Sequence, residues 1–127
     1  FPMNKQELQR RTKQFALRVL KLVDALPRTP AGRAISNQLV RSATSVGANY
    51  RAACRARSRA EFAGKLGTVL EEADESLYWL EMIRDGGLMS ESELSLLLDE
   101  ANELTAIVAA GRKSAVRATS NISNLTS

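Results

Sequence analysis

The chain has 127 residues, with 18 Lys+Arg, 14 Asp+Glu, no histidine and a net charge of +4. That length fits one domain able to bury its own core. The missing histidine excludes Ser-His-Asp and Cys-His catalysis and the Glu-x-x-His ligand set of di-iron bundles. The charge is unevenly laid: residues 1–57 carry 12 Lys+Arg against 2 acids, a net of +10, and residues 58–127 carry 6 against 12, a net of −6. Such a chain can join to copies of itself or to a polyanion.

Aromatics make up 5% of the residues, and all three prolines (Pro2, Pro27, Pro30) fall in the first quarter, so long helices are expected over strands. A lone cysteine, Cys54, rules out an internal disulfide and suits a reducing, cytoplasmic setting. No run approaches the ~20 apolar residues of a membrane span. The opening Phe1-Pro2-Met3-Asn4 has no signal-peptide pattern, so the Asn-x-Ser/Thr triplets at Asn121 and Asn124 are not read as glycosylation sites.

The first helix is expected from about Lys5 to Ala25, with Asn4 as N-cap and Glu7 three residues on, and with Phe15, Val19, Leu22 and Leu26 as its apolar stripe. Pro27 and Pro30 end it. The second is expected from about Ala31 to Arg55, with Ile35, Leu39, Val46, Tyr50 and Ala53 on one face and small residues at Ser42, Ala43, Gly47 and Ala48 that let a neighbour come close. The third, about Arg59 to Asp85, opens on a Ser58/Glu61 capping box, runs on Phe62, Leu66, Val69, Ala73, Leu77, Leu80 and Ile83, and stops at Gly86-Gly87. The fourth, about Glu91 to Val116, opens on Ser90/Glu93 and turns Leu94, Leu97, Leu98, Ala101, Leu104, Val108 and Ala115 inward. Four such helices with short joints imply an all-α, up-down-up-down antiparallel four-helix bundle over residues 4–117. Residues 118–127 read as a flexible polar tail.

From Arg28 to Arg57 there are six arginines and no acid. On the second helix Arg33, Arg41, Arg51 and Arg55 share an arc of roughly 80°, nearly opposite the apolar stripe. Three readings stay open: a solvated face, pairing with third-helix acids within or between subunits, or a phosphate-binding surface, for which arginine's planar fork is suited. Base-stacking aromatics are scarce, only Tyr50, Tyr78 and Trp79, which argues against sequence-specific reading of single strands. Asn49, beside the second-helix stripe, is either partly exposed or part of a network with Arg41, Glu72 or Glu75 that fixes register or subunit contact. Glu72/Glu75 and Glu100/Glu103 could each hold a cation, but solvation or pairing with arginine is the plainer reading, so no metal is expected. Cys54, among Arg51, Arg55 and Arg57, is read as a packing residue. No glycine-rich phosphate loop is present. Neither a cofactor nor a small-molecule substrate is expected, and no catalytic residue is assigned.

The run Leu26-Pro27, then Gln38-Leu39-x-Arg41-Ser42-Ala43-x-Ser45-Val46-Gly47-Ala48-Asn49, continuing through Arg55, Ser58, Phe62 and Lys65 to Glu72-Ala73-Asp74-Glu75-Ser76-x-Tyr78-Trp79-Leu80, resembles the bacterial four helix bundle protein family, also called the 23S rRNA intervening-sequence protein or S23 family. The likeness spans about residues 8 to 115. Many members read Asn-Ile-Ala-Glu-Gly where this chain has Asn49-Tyr50-Arg51-Ala52-Ala53, so no role of that acid carries over. The resemblance implies a ring-shaped homopentamer without enzymatic activity and suggests association with RNA or the ribosome. Exposed Tyr78 and Trp79 would be natural subunit anchors. The expected function is a homo-oligomer that binds RNA or DNA through the phosphates, using Arg10, Arg11, Arg33, Arg41, Arg51 and Arg55. The rival is a scaffold whose charged faces serve only assembly and a protein partner.

Overall fold

The computed structural model describes residues 4–90 and 92–126, with side chains through Ser120. It contains four helices: α1 (Lys5–Val23), α2 (Pro30–Ala53), α3 (Arg59–Asp85) and α4 (Ser92–Thr126). No strand occurs among the described residues. Three of the helix starts are fixed by side-chain caps. Asn4 Oδ1 accepts from the Glu7 N–H at 2.8 Å, Thr29 Oγ1 from the Gly32 N–H at 3.1 Å, and Ser58 Oγ from the Glu61 N–H at 3.1 Å. Pro30 occupies the first turn of α2, where its missing N–H costs nothing, so the helix starts one residue before the expected Ala31. α3 ends at Gly86, and Gly87 adopts φ 66°, a left-handed turn that a side chain would oppose.

Glu91 lies outside the described residues, and the carboxylate of Glu93, expected to close a capping box on Ser90, instead meets Arg18 at 2.8 Å. At the other end α4 runs ten residues past the expected stop at Val116, so residues 118–126, expected as a tail, are drawn as helix. Ala115, Ala118 and Thr119 are half-buried, Thr119 Oγ1 donates to the Ala115 carbonyl at 3.0 Å, and neither proline nor glycine follows Gly111 to break the pattern.

The four stripes meet in one core. Leu8, Phe15, Val19, Leu39, Val46, Tyr50, Leu66, Val69, Leu80, Ile83, Leu97, Leu104 and Val108 are each at most 1% exposed. The chain folds up and down, with each helix packed against its sequence neighbours and α1 closing the ring on α4. Cross-helix pairs fix the directions. Thr12 lies against Gly47 across the α1/α2 seam, Ser42 and Ser76 share a buried hydrogen bond of 3.0 Å between α2 and α3, and α1 carries Arg11 to Glu100 and Arg18 to Glu93 on α4. Ser42 Oγ also lies 3.2 Å from the Leu39 carbonyl and Ser76 Oγ 2.9 Å from that of Glu72, so the two hydroxyl protons are shared among three acceptors and each hydroxyl keeps a partner.

Two glycines give opposite expectations. A Cβ on Gly32 would stand 2.0 Å from the Pro27 carbonyl oxygen, so Gly32→Ala must push the α1–α2 joint aside and is expected to lower unfolding free energy by about 1–3 kcal/mol. Gly64, exposed in mid-helix, has nothing within 4 Å of that point, and Gly64→Ala is expected to raise stability by about 1 kcal/mol. Urea denaturation of both variants beside the parent checks the pair.

Candidate nucleic-acid interface

Each helix spends one face on the core, so its charges are left on the flanks and outer face, where they meet whatever the neighbouring helices present. α1 has six Lys+Arg and one acid, and α2 has three arginines and no acid; α3 has seven acids and three cations. The acids of α4 all fall between Glu93 and Glu103, in the half that runs beside α1. Beyond them α4 turns basic, with Arg112, Lys113 and Arg117, so the ring so ordered has mixed seams at α2/α3 and at the first half of α4 against α1. It also has one seam, α1/α2, where cation faces cation.

Of the mixed seams, α1/α4 is the better neutralised. On α1/α4, Arg11 grips Glu100 with two hydrogen bonds, Nε to Oε2 at 2.8 Å and Nη2 to Oε1 at 2.7 Å, and reaches Glu103 at 3.0 Å. Its side chain is 24% exposed and that of Glu100 16%; the Glu100 hydrogen bond, opposed in part by burial, raises the guanidinium pKa further above its usual range. On α2/α3, Arg41 lies 3.6 Å from Glu75, but its side chain is 72% exposed, so that pair contributes little.

The α1/α2 seam is different. Here Gln9, Arg10, Lys13 and Ala16 of α1 face Thr44, Gly47, Ala48, Arg51 and Arg55 of α2 across an open groove of about 650 Å³. No acid lines it, and among the described residues none of Arg10, Lys13, Arg51 and Arg55 is in an ion pair. The groove exists because its floor is small: Ala16, Gly47 and Ala48 hold the seam shallow while long cationic side chains rise from the rims. A Cβ on Gly47 would meet Thr12 Oγ1 at 3.5 Å, so the two helices are in close contact here.

The structure thus divides the six arginines expected to bind phosphate. Arg10, Arg51 and Arg55 converge on the groove. Arg11 points to α4 and is consumed by two acids. Arg33 sits at the opposite end of α2, in a separate cleft of about 260 Å³ with Arg28 and Asp24, and Arg41 leans toward α3. Lys13 was not picked out from the sequence; its spacing of three from Arg10 and four from Gln9 was the available signal.

The other expected cluster lies along α3. Asn49 Nδ2 donates to the Ser45 carbonyl at 2.9 Å, one turn back on its own helix. Glu72 and Glu75 are half-buried, and Trp79 Nε1 donates to Glu75 Oε1 at 3.4 Å. Tyr78 is 54% exposed and packs edge-on against the half-buried Trp79, ring centroids 5.1 Å apart. Tyr50, by contrast, is wholly buried; its Oη is without a hydrogen-bond partner, and burial, then the neighbouring Cys54, raises its pKa. No group of three Cys, Asp or Glu able to hold a metal ion occurs among the described residues, and no helix is long and apolar enough to cross a membrane.

Burial, helped by Glu75 and Glu71 and opposed by Arg41, raises the pKa of Glu72 above its ordinary 4.5. A carboxyl with a raised folded-state pKa costs stability when ionised. The cost is present in full above the folded value and is gone below the unfolded one. Glu72→Gln is therefore expected to raise the melting temperature at neutral pH, with the gain shrinking as pH falls toward 4.5, read from thermal melts across that range.

Comparison with known proteins places this geometry. Residues 4–110 match the family described as 23S rRNA-intervening sequence protein. A crystal structure from Bacteroides thetaiotaomicron VPI-5482, described as a protein of unknown function from the S23 ribosomal protein family, superposes with a TM-score of 0.79 at 31% sequence identity, covering 87% of this chain and 99% of that one. A search of curated proteins finds no match. Neither description names an enzymatic activity. With the matched region spanning all but the end of α4, the chain belongs to the 23S rRNA-intervening sequence protein family.

Proposed function

We propose that the protein is a non-enzymatic, self-assembling helical bundle that binds nucleic acid through its phosphates at the α1/α2 groove. The observation that carries this reading is the groove itself: Arg10, Lys13, Arg51 and Arg55 on its rims and no acid in its lining. Four like charges held along one seam repel one another, and a polyanion relieves that repulsion while releasing its own counterions. Arginine supplies three of the four and grips phosphate oxygens in pairs. The groove floor of alanine, glycine and threonine has no aromatic platform, so contacts fall on the sugar-phosphate backbone rather than on stacked bases. The description of the family as 23S rRNA-intervening sequence protein agrees with an RNA partner.

Assembly falls to the other side of the bundle. Exposed Tyr78 and Met82 stand among Glu71, Asp74 and Asp85 on α3, an apolar centre in an acidic rim of the kind that anchors subunit contacts. A basic surface of the next subunit would complement it head-to-tail, and such contacts close into a ring, the pentamer that the resemblance implies. The same face supports the second reading, a scaffold that holds a basic protein partner there.

Arg51→Glu with Arg55→Glu is expected to weaken binding to a structured rRNA fragment by more than tenfold, since each lost charge-assisted contact costs roughly 1.5–3 kcal/mol. Arg11→Ala is expected to leave that affinity unchanged and instead to lower unfolding free energy by about 1–3 kcal/mol. Fluorescence anisotropy at fixed salt, with oligomer mass by light scattering, checks both. Unchanged affinity in the charge-reversed protein would transfer the assignment to the scaffold.

A further inference from the structure

A second basic cavity lies apart from the α1/α2 groove. Lys5 is eight residues before Lys13, about two turns back along α1 and about 80° around it. There it enters this cavity of about 300 Å³ at the corner where α2 passes into α3, lined also by Cys54, Arg57, Ser58, Arg59 and Phe62. Arg55, on the groove rim, is the residue after Cys54, so the two cavities adjoin along the chain. The corner cavity, like the groove, has no acid in its lining. The nearest carboxylate along the chain, Glu61, is turned back to accept from the Arg57 N–H at 3.2 Å.

We infer that groove and corner form one phosphate-binding track, in which Lys5, Arg57 and Arg59 extend the four groove cations around the end of the bundle, and that its ligand is the backbone of a paired nucleic-acid helix. The inference rests on the groove being a phosphate surface and adds where that surface ends and which form of nucleic acid fits. Paired rather than single-stranded nucleic acid is indicated because single strands are held by stacking on aromatic faces. The lone aromatic along the track, Phe62, is half-buried, and the Lys5 ammonium sits 4.9 Å from its ring centroid, covering the face a base would need. What the track offers is a line of cations, which a paired helix meets with backbone phosphates irrespective of sequence.

The test is the salt dependence of binding, measured by anisotropy on the full-length protein with a labelled RNA hairpin and with one strand of its stem alone. Each phosphate neutralised contributes about 0.9 to the slope of log affinity against log salt for a duplex. Arg57→Ala with Arg59→Ala is expected to flatten that slope by about 2 on the hairpin, equally for stems of unrelated sequence. Both side chains are exposed and neither is hydrogen-bonded among the described residues, so the fold should survive, which circular dichroism confirms. An unchanged slope in this variant, with binding still sensitive to Arg51→Glu and Arg55→Glu, would end the track at the groove and overturn the inference while leaving the proposed function standing. Tighter binding of the single strand than of the hairpin would overturn the choice of ligand. Loss of all binding by the parent protein at low salt would remove the proposed function and this inference with it.

Discussion

Charge order around a closed ring of four helices is the constraint on which this protein's surface depends. The apolar stripes leave no freedom over which face of each helix turns inward, because Leu8, Leu39, Leu66 and Leu97 and their stripe-mates all go to one core. An up-down bundle then leaves no freedom over which helices are neighbours. With α1 and α2 basic, opposite charges can meet across helices at α1/α4, through the acidic first half of α4, and at α2/α3. They do so as Arg11 with Glu100 and Glu103, Arg18 with Glu93, and Arg41 with Glu75. The α1/α2 seam inherits cations from both sides, and no acid lines its groove.

This pattern is costly to a monomer. Like charges along a seam oppose folding, and the ~1 kcal/mol or less that an exposed ion pair contributes elsewhere does not offset a row of unpaired arginines. The packing carries the burden, through a core of fully buried Leu, Val and Phe and a dry Ser42–Ser76 pair that fixes how α2 and α3 slide against each other. The uncompensated seam then persists as a surface held open by small residues, Ala16, Gly47 and Ala48, with flexible cations at its edges. A preorganised basic groove is a functional asset only when an anion occupies it.

The sequence carried the fold almost in full. Period-3.6 stripes, side-chain caps at Asn4 and Ser58, and the Gly86-Gly87 stop are local signals, and each matches the structure to within a few residues. The end of α4 was missed, because beyond Val116 polar residues dominate and the apolar positions left at helical spacing, Ala115, Ala118, Ile122 and Leu125, make a thin stripe. The site was legible only in part. Arg10 and Arg11 are adjacent in sequence, yet 100° of helical turn sends one to the groove and the other to α4, a distinction that matters only once the neighbour of each flank is known. Arg51 and Arg55 were found from their arc on α2; Lys13 belongs to the same seam but to a different helix, and one-helix periodicity cannot join the two.

The account turns on which cations a nucleic acid covers. Lysine acetylation footprinting of the protein, with and without a structured rRNA fragment and read by mass spectrometry, reports this directly. It predicts that RNA protects Lys13 in the groove and leaves Lys65 and Lys113, on α3 and α4, as reactive as before. Protection of Lys65 or Lys113 with Lys13 still reactive would place the nucleic acid on the wrong pair of helices and contradict the claim that the like-charged seam is the binding surface.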